Sequence, residues 1–342
     1  MDTVKILEQL CAAAGVSGAE FPASAAALGL LGKYAEKAEI DAFGNVIGYI
    51  GDDMSKPLLL LDAHIDRIGL IVTYVDDDGF LKVSKCGGID RRTLLAQTVT
   101  VYGKEPIKGI ISTLPPHVAQ LEKHSGKSAK LDDIVIDTGL SGEKAKELIP
   151  QGSLVTVDGV FSRLGENRVC TPAADDRAGV AALLHTLELL KNEKGLPFRI
   201  AVQFAAQEEV GCRGAVISTF NIDPDYAVAV DVSFAQSKGV EPSKAGKLGK
   251  GPMIGIAASL DREMFRRFVD IAKEKDIPYQ IEAMGGSSGT DADGIAVSRG
   301  GVRTGLVSIP QRYMHTPCEV VEITDIENTG RLIAEFIKKG AM

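Results

Sequence analysis

Tryptophan is absent from the 342-residue sequence, and aromatic residues make up only 5% of it. A cleft that stacks sugar rings on aromatic side chains is therefore disfavoured. Cysteine is also sparse: the five cysteines are an odd number, widely spaced and without a CxxC pair. This pattern excludes a disulfide framework and a cysteine-zinc knot, and it predicts reduced thiols in a cytoplasmic protein.

Long apolar runs are missing as well. No segment approaches the roughly 20 apolar residues that span a bilayer. The first residues carry Asp2, Lys5 and Glu8, where a signal peptide would be apolar. The formal net charge of −8 leaves no basic stripe for phosphate backbones. We therefore expect a soluble cytoplasmic protein that binds neither membranes nor nucleic acid.

The sequence does contain the alternation of strands and helices that is typical of an α/β protein. Unbroken apolar segments of strand length occur at residues 58–64, 200–206, 227–231 and 305–309. Helical patterns lie between them, and the first two helices are predicted at about residues 4–15 and 23–36. Continuously apolar strands are buried on both faces. We therefore predict an α/β fold with a mixed, largely parallel sheet flanked by helices.

A different pattern covers residues 69–158, where short strands alternate apolar and polar residues between turns. One hairpin is predicted around the Asp-Asp-Gly turn that ends at Gly79, and another around Gly103. Since the chain is long enough for about two domains, we interpret this segment as a small β-rich domain. It would be inserted into a catalytic α/β domain formed by residues 1–68 and 159–342.

Carboxylate and imidazole side chains follow several predicted strands. They are His64, Asp66, Asp175, Asp176, Glu208, Glu209, Asp231 and His315. Each has an ordinary explanation alone, because an Asp before a helix is usually an N-cap and a Glu pair is usually solvated. Together they indicate a metal site, since buried charges need partners. Three carboxylates and a bridging hydroxide would balance two divalent ions, and histidine ligands favour zinc, with cobalt or manganese as substitutes.

Six strings carry a resemblance to a known family: AHIDRIGLIV, DDRAG, QEEVGCRGA, VDVSFA, LGKGPMI and SIPQRYMHTPCEVV, in this order. They resemble metallopeptidase family 42, the tetrahedral or glutamyl-aminopeptidase-like enzymes, over about residues 5–338. The resemblance implies a zinc-exopeptidase-like fold and a metallo-aminopeptidase that removes N-terminal residues from peptides. It also implies homo-oligomers, in which dimers joined through the inserted domain build a tetrahedral dodecamer with the active sites inside.

The same resemblance assigns the metal ligands by position. His64, Asp175 and Asp231 would bind one divalent ion. Asp175, Glu209 and His315 would bind the other, so that Asp175 bridges the two. The three further histidines of the sequence, His117, His124 and His185, lie outside this pattern, and His185 is expected to pack within a helix.

Two further residues receive catalytic roles from the resemblance. Glu208 would be the general base that takes a proton from the water bridging the two metals and passes it to the leaving amine. Asp66 would accept the remaining imidazole N–H of His64 and orient that ring. The peptide bond between Asp175 and Asp176 would be cis, as in the family.

The sequence departs from the family at two positions. Arg67 stands where many relatives have a carboxylate, and we expect it to form a structural salt bridge. The segment at residues 284–294, MGGSSGTDADG, is longer and more polar than the usual Gly-Gly-Thr-Asp-Ala form. Both departures bear on substrate preference, which is therefore not carried over.

The sequence admits two alternatives to the aminopeptidase. Some relatives carry an endoglucanase label, and the Glu208–Glu209 pair superficially suits a polysaccharide hydrolase. Adjacent glutamates at a strand end point apart, however, whereas glycosidase carboxylates face each other across a sugar. A non-catalytic scaffold is the other alternative, and the intact ligand set together with Glu208 argues against it.

Overall fold

The structure, a computed structural model, describes residues 1–112 and 131–340. His117 and His124 lie outside these residues. The α-helices of the described residues are α1 (Thr3–Ala12), α2 (Phe21–Leu31), α3 (Gly142–Leu148), α4 (Ala174–Leu190), α5 (Arg213–Ile222), α6 (Arg262–Glu274), α7 (Asp291–Ala296) and α8 (Ile323–Lys339). Helix α2 begins and ends earlier than predicted, because Pro22 suits the first turn of a helix and the chain turns away after Gly32.

The strands alternate with these helices along most of the chain. They are β1 (Lys37–Ile40), β2 (Val46–Ile50), β3 (Leu58–His64), β4 (Gly69–Val75), β5 (Leu81–Cys86), β6 (Thr98–Tyr102), β7 (Pro106–Ile111), β8 (Val135–Asp137), β9 (Leu154–Val157), β10 (Ser162–Leu164), β11 (Arg168–Thr171), β12 (Arg199–Ala205), β13 (Tyr226–Phe234), β14 (Met253–Ile256), β15 (Gln280–Ala283), β16 (Arg303–Arg312) and β17 (Glu319–Glu322). Strand β13 continues three residues beyond its predicted end at Asp231.

The main sheet has the order β1-β2-β12-β3-β13-β16-β17-β11-β10, with β14 and β15 attached beside β16. Its four central strands, β12, β3, β13 and β16, are mutually parallel. The outer pairs are antiparallel. This topology confirms the predicted mixed, largely parallel sheet.

Strand β3 shows why its sequence is continuously apolar. All seven of its residues are buried. Because successive side chains of a strand point to opposite faces, Leu59 and Leu61 pack into a core with α1, α2, α4, α6 and α8. Leu58 and Leu60 pack into a second core, with α5 and α7, on the other face. The sheet is thus covered by helices on both sides, as the sequence predicted.

The inserted segment forms a closed antiparallel barrel with the strand order β4-β5-β8-β7-β6-β9. It has its own hydrophobic core, which includes Leu70, Val99, Ile111, Ile136 and Val155. Closing the sheet removes the free edges that would otherwise pair with other chains. The prediction of a small β-rich insert is confirmed. No helix of the described residues combines the length and apolar character required to span a bilayer.

Candidate metal centre

The first cluster of the site forms around His64, the last residue of β3. Its imidazole is buried, and Nε2 lies 3.0 Å from Oδ1 of Asp175. The same nitrogen lies 3.9 Å from Oδ1 of Asp231, which projects from the neighbouring parallel strand β13. Parallel strands end at one edge of a sheet, so side chains distant in sequence meet there. The structure thus brings together the three residues predicted for one metal.

The second cluster forms around His315, three residues after β16 ends. Nε2 of His315 lies 3.1 Å from Oδ2 of Asp175 and 3.3 Å from Oε2 of Glu209. Asp175 therefore faces His64 with one carboxylate oxygen and His315 with the other. This is the arrangement that a bridging carboxylate requires.

Asp175 lies at the start of α4, where the peptide bond to Asp176 is cis, as predicted. Asp176 is fully buried; its carboxylate accepts hydrogen bonds from the main-chain N–H groups of His64 (3.3 Å) and Gly179 (3.0 Å). One of its oxygens also lies within 4.8 Å of ligand atoms of His64 and Asp231. The family resemblance assigns no ligand role to Asp176, which directly follows Asp175 in the sequence.

Asp66 makes more contacts than the sequence indicated. Nδ1 of His64 is 3.2 Å from the main-chain carbonyl oxygen of Asp66 and 3.5 Å from its Oδ1. The carboxylate accepts hydrogen bonds from the N–H of Glu208 (3.0 Å), the N–H of Glu209 (3.3 Å) and the hydroxyl of Ser17 (2.6 Å). Asp66 therefore contacts the ring of His64 and also hydrogen-bonds to the turn that carries both glutamates.

Two groups that the sequence analysis missed hold the His315 side of the site. The buried carboxylate of Glu319 accepts hydrogen bonds from the main-chain N–H of His315 (2.9 Å) and of Asp175 (3.1 Å). The carbonyl oxygen of Gly88, which follows β5 of the barrel, lies 3.1 Å from Nδ1 of His315. The inserted domain therefore contributes directly to the site. The signal available in the sequence was a glutamate directly before Val320 and Val321, because a carboxylate that enters an apolar strand needs partners.

Burial dominates the electrostatics of the centre. It raises the pKa of Asp231 and of Glu209 well above their usual range, and the charge of Asp175 raises that of Glu209 further. Burial alone would lower the pKa of His315, but the hydrogen bond to Asp175 and the charge of Glu209 outweigh it and raise the pKa to about 9. Clustered carboxylates in such a low-dielectric environment are stabilised by cations.

Glu208 and Glu209 are held differently, although they are adjacent. They lie in the turn after β12 and not on the strand itself. Oε2 of Glu208 is 3.9 Å from Nε2 of His64, whereas Glu209 contacts His315. The thiol of Cys212 lies 3.7 Å from Oε1 of Glu208. Burial and the charge of Asp175 raise the pKa of Glu208. Glu208 also lines a cavity of about 940 Å³ that opens beside both clusters.

The donor set suits divalent cations. Donors that lie about 2.1 Å from a common tetrahedral ion are about 3.4 Å apart. The facing donor atoms here, paired as described above, are separated by 3.0 to 3.9 Å. Imidazole nitrogens combined with carboxylate oxygens are the donors that zinc, cobalt and manganese accept. The residues of the site therefore fit bound metal ions.

The salt bridge expected for Arg67 is not present among the described residues. Its guanidinium is buried and donates a hydrogen bond to the carbonyl oxygen of Val157 (3.3 Å), while its main chain pairs with Gly15 and Ser17. No carboxylate of residues 1–112 and 131–340 lies within ion-pair distance of it. Arg67 thus joins the α/β domain to the last strand of the barrel through main-chain groups.

The polar loop at residues 284–294 is organised around Asp293. Its carboxylate accepts hydrogen bonds from the hydroxyls of Ser259 and Ser287 and from the main-chain N–H groups of Ser288 and Gly289, at 2.7 to 3.1 Å. The loop then enters α7, and most of its residues line the cavity. The polar residues of this long loop therefore form hydrogen bonds within the loop itself.

A largely parallel sheet with two facing histidine-carboxylate clusters at its carboxyl edge defines a hydrolase of the metallopeptidase class. Residues 44–332 match the family model of the M42 glutamyl aminopeptidases. The chain belongs to this family, as its motifs predicted, and it is accordingly an aminopeptidase that hydrolyses peptide bonds.

Individual relatives cover nearly the whole chain. The lysyl aminopeptidase of Pyrococcus furiosus is 33% identical over 98% of this chain and 96% of its own length. An aminopeptidase structure from the archaeon Desulfurococcus kamchatkensis is 35% identical, with a TM-score of 0.91, over 99% of this chain and 95% of that one. The TET1 peptidase of Pyrococcus horikoshii is 31% identical, with a TM-score of 0.87, over 99% of this chain and 100% of that one. The last of these can assemble into a tetrahedron or a large octahedral shell.

Proposed function

We propose that the protein is a dinuclear metal-dependent aminopeptidase. The observation that carries this proposal is the placement of Asp175. One of its oxygens faces His64 at 3.0 Å, and the other faces His315 at 3.1 Å. A carboxylate that bridges two ions has a ligand set on each side, and the imidazoles of His64 and His315 would belong to these two sets. A carboxylate that bound a single ion would not require the second imidazole.

The ligands divide into two sets around that bridge. His64, Asp175 and Asp231 would hold one ion, and Asp175, Glu209 and His315 the other. Zinc is the proposed metal, and cobalt or manganese would substitute in the same donor set. When bound, two such ions supply Lewis-acid polarisation of the scissile carbonyl and a water molecule that is acidic at neutral pH.

Glu208 is the proposed general base. It is not needed as a ligand, it lines the cavity, and Oε2 lies 3.9 Å from Nε2 of His64, so its carboxylate reaches the same space as the first cluster. There it would accept a proton from the attacking water and return it to the leaving amine nitrogen. Asp66 supports this role, because its carboxylate binds the main-chain N–H of Glu208 and so fixes the position of the base.

The barrel is proposed to mediate assembly. We assign residues 69–158 to the inserted domain and the contacts of a homo-oligomer to its surface, with a tetrahedral dodecamer as the assembled form. The TET1 peptidase, which has the same fold, supports such an assembly. Enclosure of the sites would restrict substrates to unfolded peptides. All five cysteines are free thiols, which fits the reducing cytoplasm.

A paired substitution tests the proposed chemistry. Glu208→Gln should keep both metals but lower kcat by about 10²–10⁴-fold, the usual scale for a general base. Glu209→Gln should instead weaken one metal. Turnover of aminoacyl coumarin amides and bound metal are measured on both variants over a range of added zinc, cobalt and manganese. If excess metal restores Glu208→Gln but not Glu209→Gln, the two roles are reversed.

A further inference from the structure

One carboxylate in the cavity belongs neither to the metal centre nor to the loop. Glu282, on β15, lies with its carboxylate against two serines. The hydroxyl of Ser233 donates a hydrogen bond to Oε1, and the hydroxyl of Ser308 donates one to Oε2 at 2.7 Å. Ser308 is 1% exposed and Ser233 is 9% exposed, so both donors are held rigidly in the sheet. The position of the Glu282 carboxylate is therefore fixed.

Glu282 has no cationic partner in the part of the chain that the structure describes. Among residues 1–112 and 131–340, no Lys, Arg or His nitrogen forms an ion pair with it within 4.0 Å. Each carboxylate oxygen can accept two hydrogen bonds and uses one here, so Glu282 retains capacity for a ligand. Outside the metal centre, two other charged residues line the cavity: Asp293 binds its own loop, and Lys244 pairs with the exposed Glu241 at 3.4 Å.

The distance from Glu282 to the metal centre corresponds to the length of a side chain. Ser233, which holds the carboxylate, is two residues beyond the predicted ligand Asp231 on the same strand and points to the same face. Two residues of a strand span about 6–7 Å. An N-terminal residue whose carbonyl lies at the centre would therefore place the end of a long side chain close to Glu282.

The walls of the cavity suit the stem of such a side chain. Met253, Met284 and Met314 are among the residues that line it. Methionine is apolar and adapts to the shape of its neighbour, whereas a lysine or arginine combines an apolar stem with a cationic head. Apolar walls with an unpaired carboxylate at the far end are complementary to that combination and would repel an acidic residue.

We infer that Glu282 selects peptides whose N-terminal residue is basic, by binding the ammonium or guanidinium group of lysine or arginine. This inference rests on the proposed aminopeptidase activity and specifies its substrate class. Glu282 would touch the substrate side chain and not the reacting atoms, so it is a specificity residue.

The test compares pairs of substrates that share an aliphatic stem and differ in the charged group at its end. Lysyl and norleucyl coumarin amides share the aliphatic stem, and arginyl and citrullinyl amides share the longer one. In the unmodified metal-loaded protein, kcat/KM should favour the cationic member of each pair by about 10-fold or more, because a hydrogen bond to a charged group is among the stronger polar contacts. Glu282→Gln should lower kcat/KM for the lysyl amide by about 10–100-fold and leave the norleucyl amide within about 3-fold. Glu282→Lys should favour the glutamyl over the lysyl amide.

A matched control distinguishes substrate selection by Glu282 from a general effect of removing a negative charge. Asp270→Asn removes an exposed carboxylate on α6, outside the lining of the cavity, and should leave the lysyl-to-norleucyl ratio within about 2-fold, as expected for a solvent-screened charge. Equal kcat/KM for lysyl and norleucyl amides in the unmodified protein would overturn the inference while leaving the aminopeptidase proposal intact. Equal loss of both substrates in Glu282→Gln would also overturn it, because Glu282 would then be structural. Failure to hydrolyse any aminoacyl amide with any metal would overturn both proposals.

Discussion

Gly88→Ala perturbs the contact between the barrel and the metal centre. A Cβ at this position would lie 2.7 Å from Nδ1 and 3.0 Å from Cε1 of His315. Gly88 does not have a positive φ, so alanine fits its backbone and the clash with the ring is the main effect. Ordinary van der Waals contact begins at 3.4 Å, which means that the ring must retreat by about 0.7 Å.

That displacement is large for a metal ligand, because ligand distances are tolerated within about 0.2 Å. The hydrogen bond between the Gly88 carbonyl and Nδ1 of His315 would be strained at the same time. We therefore expect Gly88→Ala to weaken the ion bound by His315 and to lower kcat/KM by about 100-fold, the scale of a 1 Å misplacement near the reacting atoms. The ion held by His64 should remain.

The assay is a titration of activity with zinc or cobalt, together with the metal content of the purified variant. Gly285→Ala is the matched control, because Gly285 lines the same cavity and a Cβ there would meet nothing within 4 Å. Far-ultraviolet circular dichroism shows whether each variant is folded. A folded Gly88→Ala protein with normal activity and full metal content would refute this reasoning.

Three further predictions concern buried carboxylates and the barrel. Burial raises the pKa of Asp62 to about 7 despite its hydrogen bond from Gln203. An unfolded Asp titrates near 4, so the folded state loses stability as the pH rises from about 4 to about 7. Asp62→Asn should therefore stabilise the protein more at pH 8 than at pH 4, and equal thermal shifts at both pH values would contradict this. Glu319→Gln leaves one side-chain oxygen to accept hydrogen bonds from the main-chain N–H groups of His315 and Asp175, so both metals should bind more weakly. A normal content of both metals in this variant would contradict the prediction. Replacing residues 69–158 by a Gly/Ser linker should leave monomers or small oligomers by light scattering and reduce activity through the loss of Gly88. An unchanged large particle would place the subunit contacts on the α/β domain.

The parts of the structure that could be predicted depend on local patterns. The four leucines of β3 indicate a strand buried on both faces, and the residues at the ends of such strands indicate where a site forms. Contacts between distant segments leave no comparable signal. Gly88 and His315 are 227 residues apart, and their contact depends on how the barrel sits against the sheet.

The roles of two other residues depend on tertiary contacts that the sequence does not show. Arg67 was expected to pair with a carboxylate, yet its guanidinium contacts the carbonyl of Val157 in the barrel. Glu282 lies between the exposed residues Ile281 and Ala283 on the short strand β15. Its sequence context does not distinguish it from a solvent-exposed glutamate. Only the pairing of β14 and β15 beside β16 brings it to Ser308. Charge and hydrophobicity patterns do not encode such partners.

The number of metal ions bound per chain decides whether the centre is dinuclear and bridged by Asp175. The unmodified protein and the variants His315→Ala, Asp175→Ala and His185→Ala are loaded with zinc and freed of excess metal. The zinc content per chain is then measured by mass spectrometry. His185→Ala is the control, because His185 is half-buried on α4 away from the centre. We expect two ions per chain in the unmodified and control proteins and one in His315→Ala. Asp175→Ala should bind fewer than two ions, with the affinity of both sites reduced. Two tightly bound ions with full activity in His315→Ala, or a single ion in the unmodified protein under zinc saturation, would contradict it.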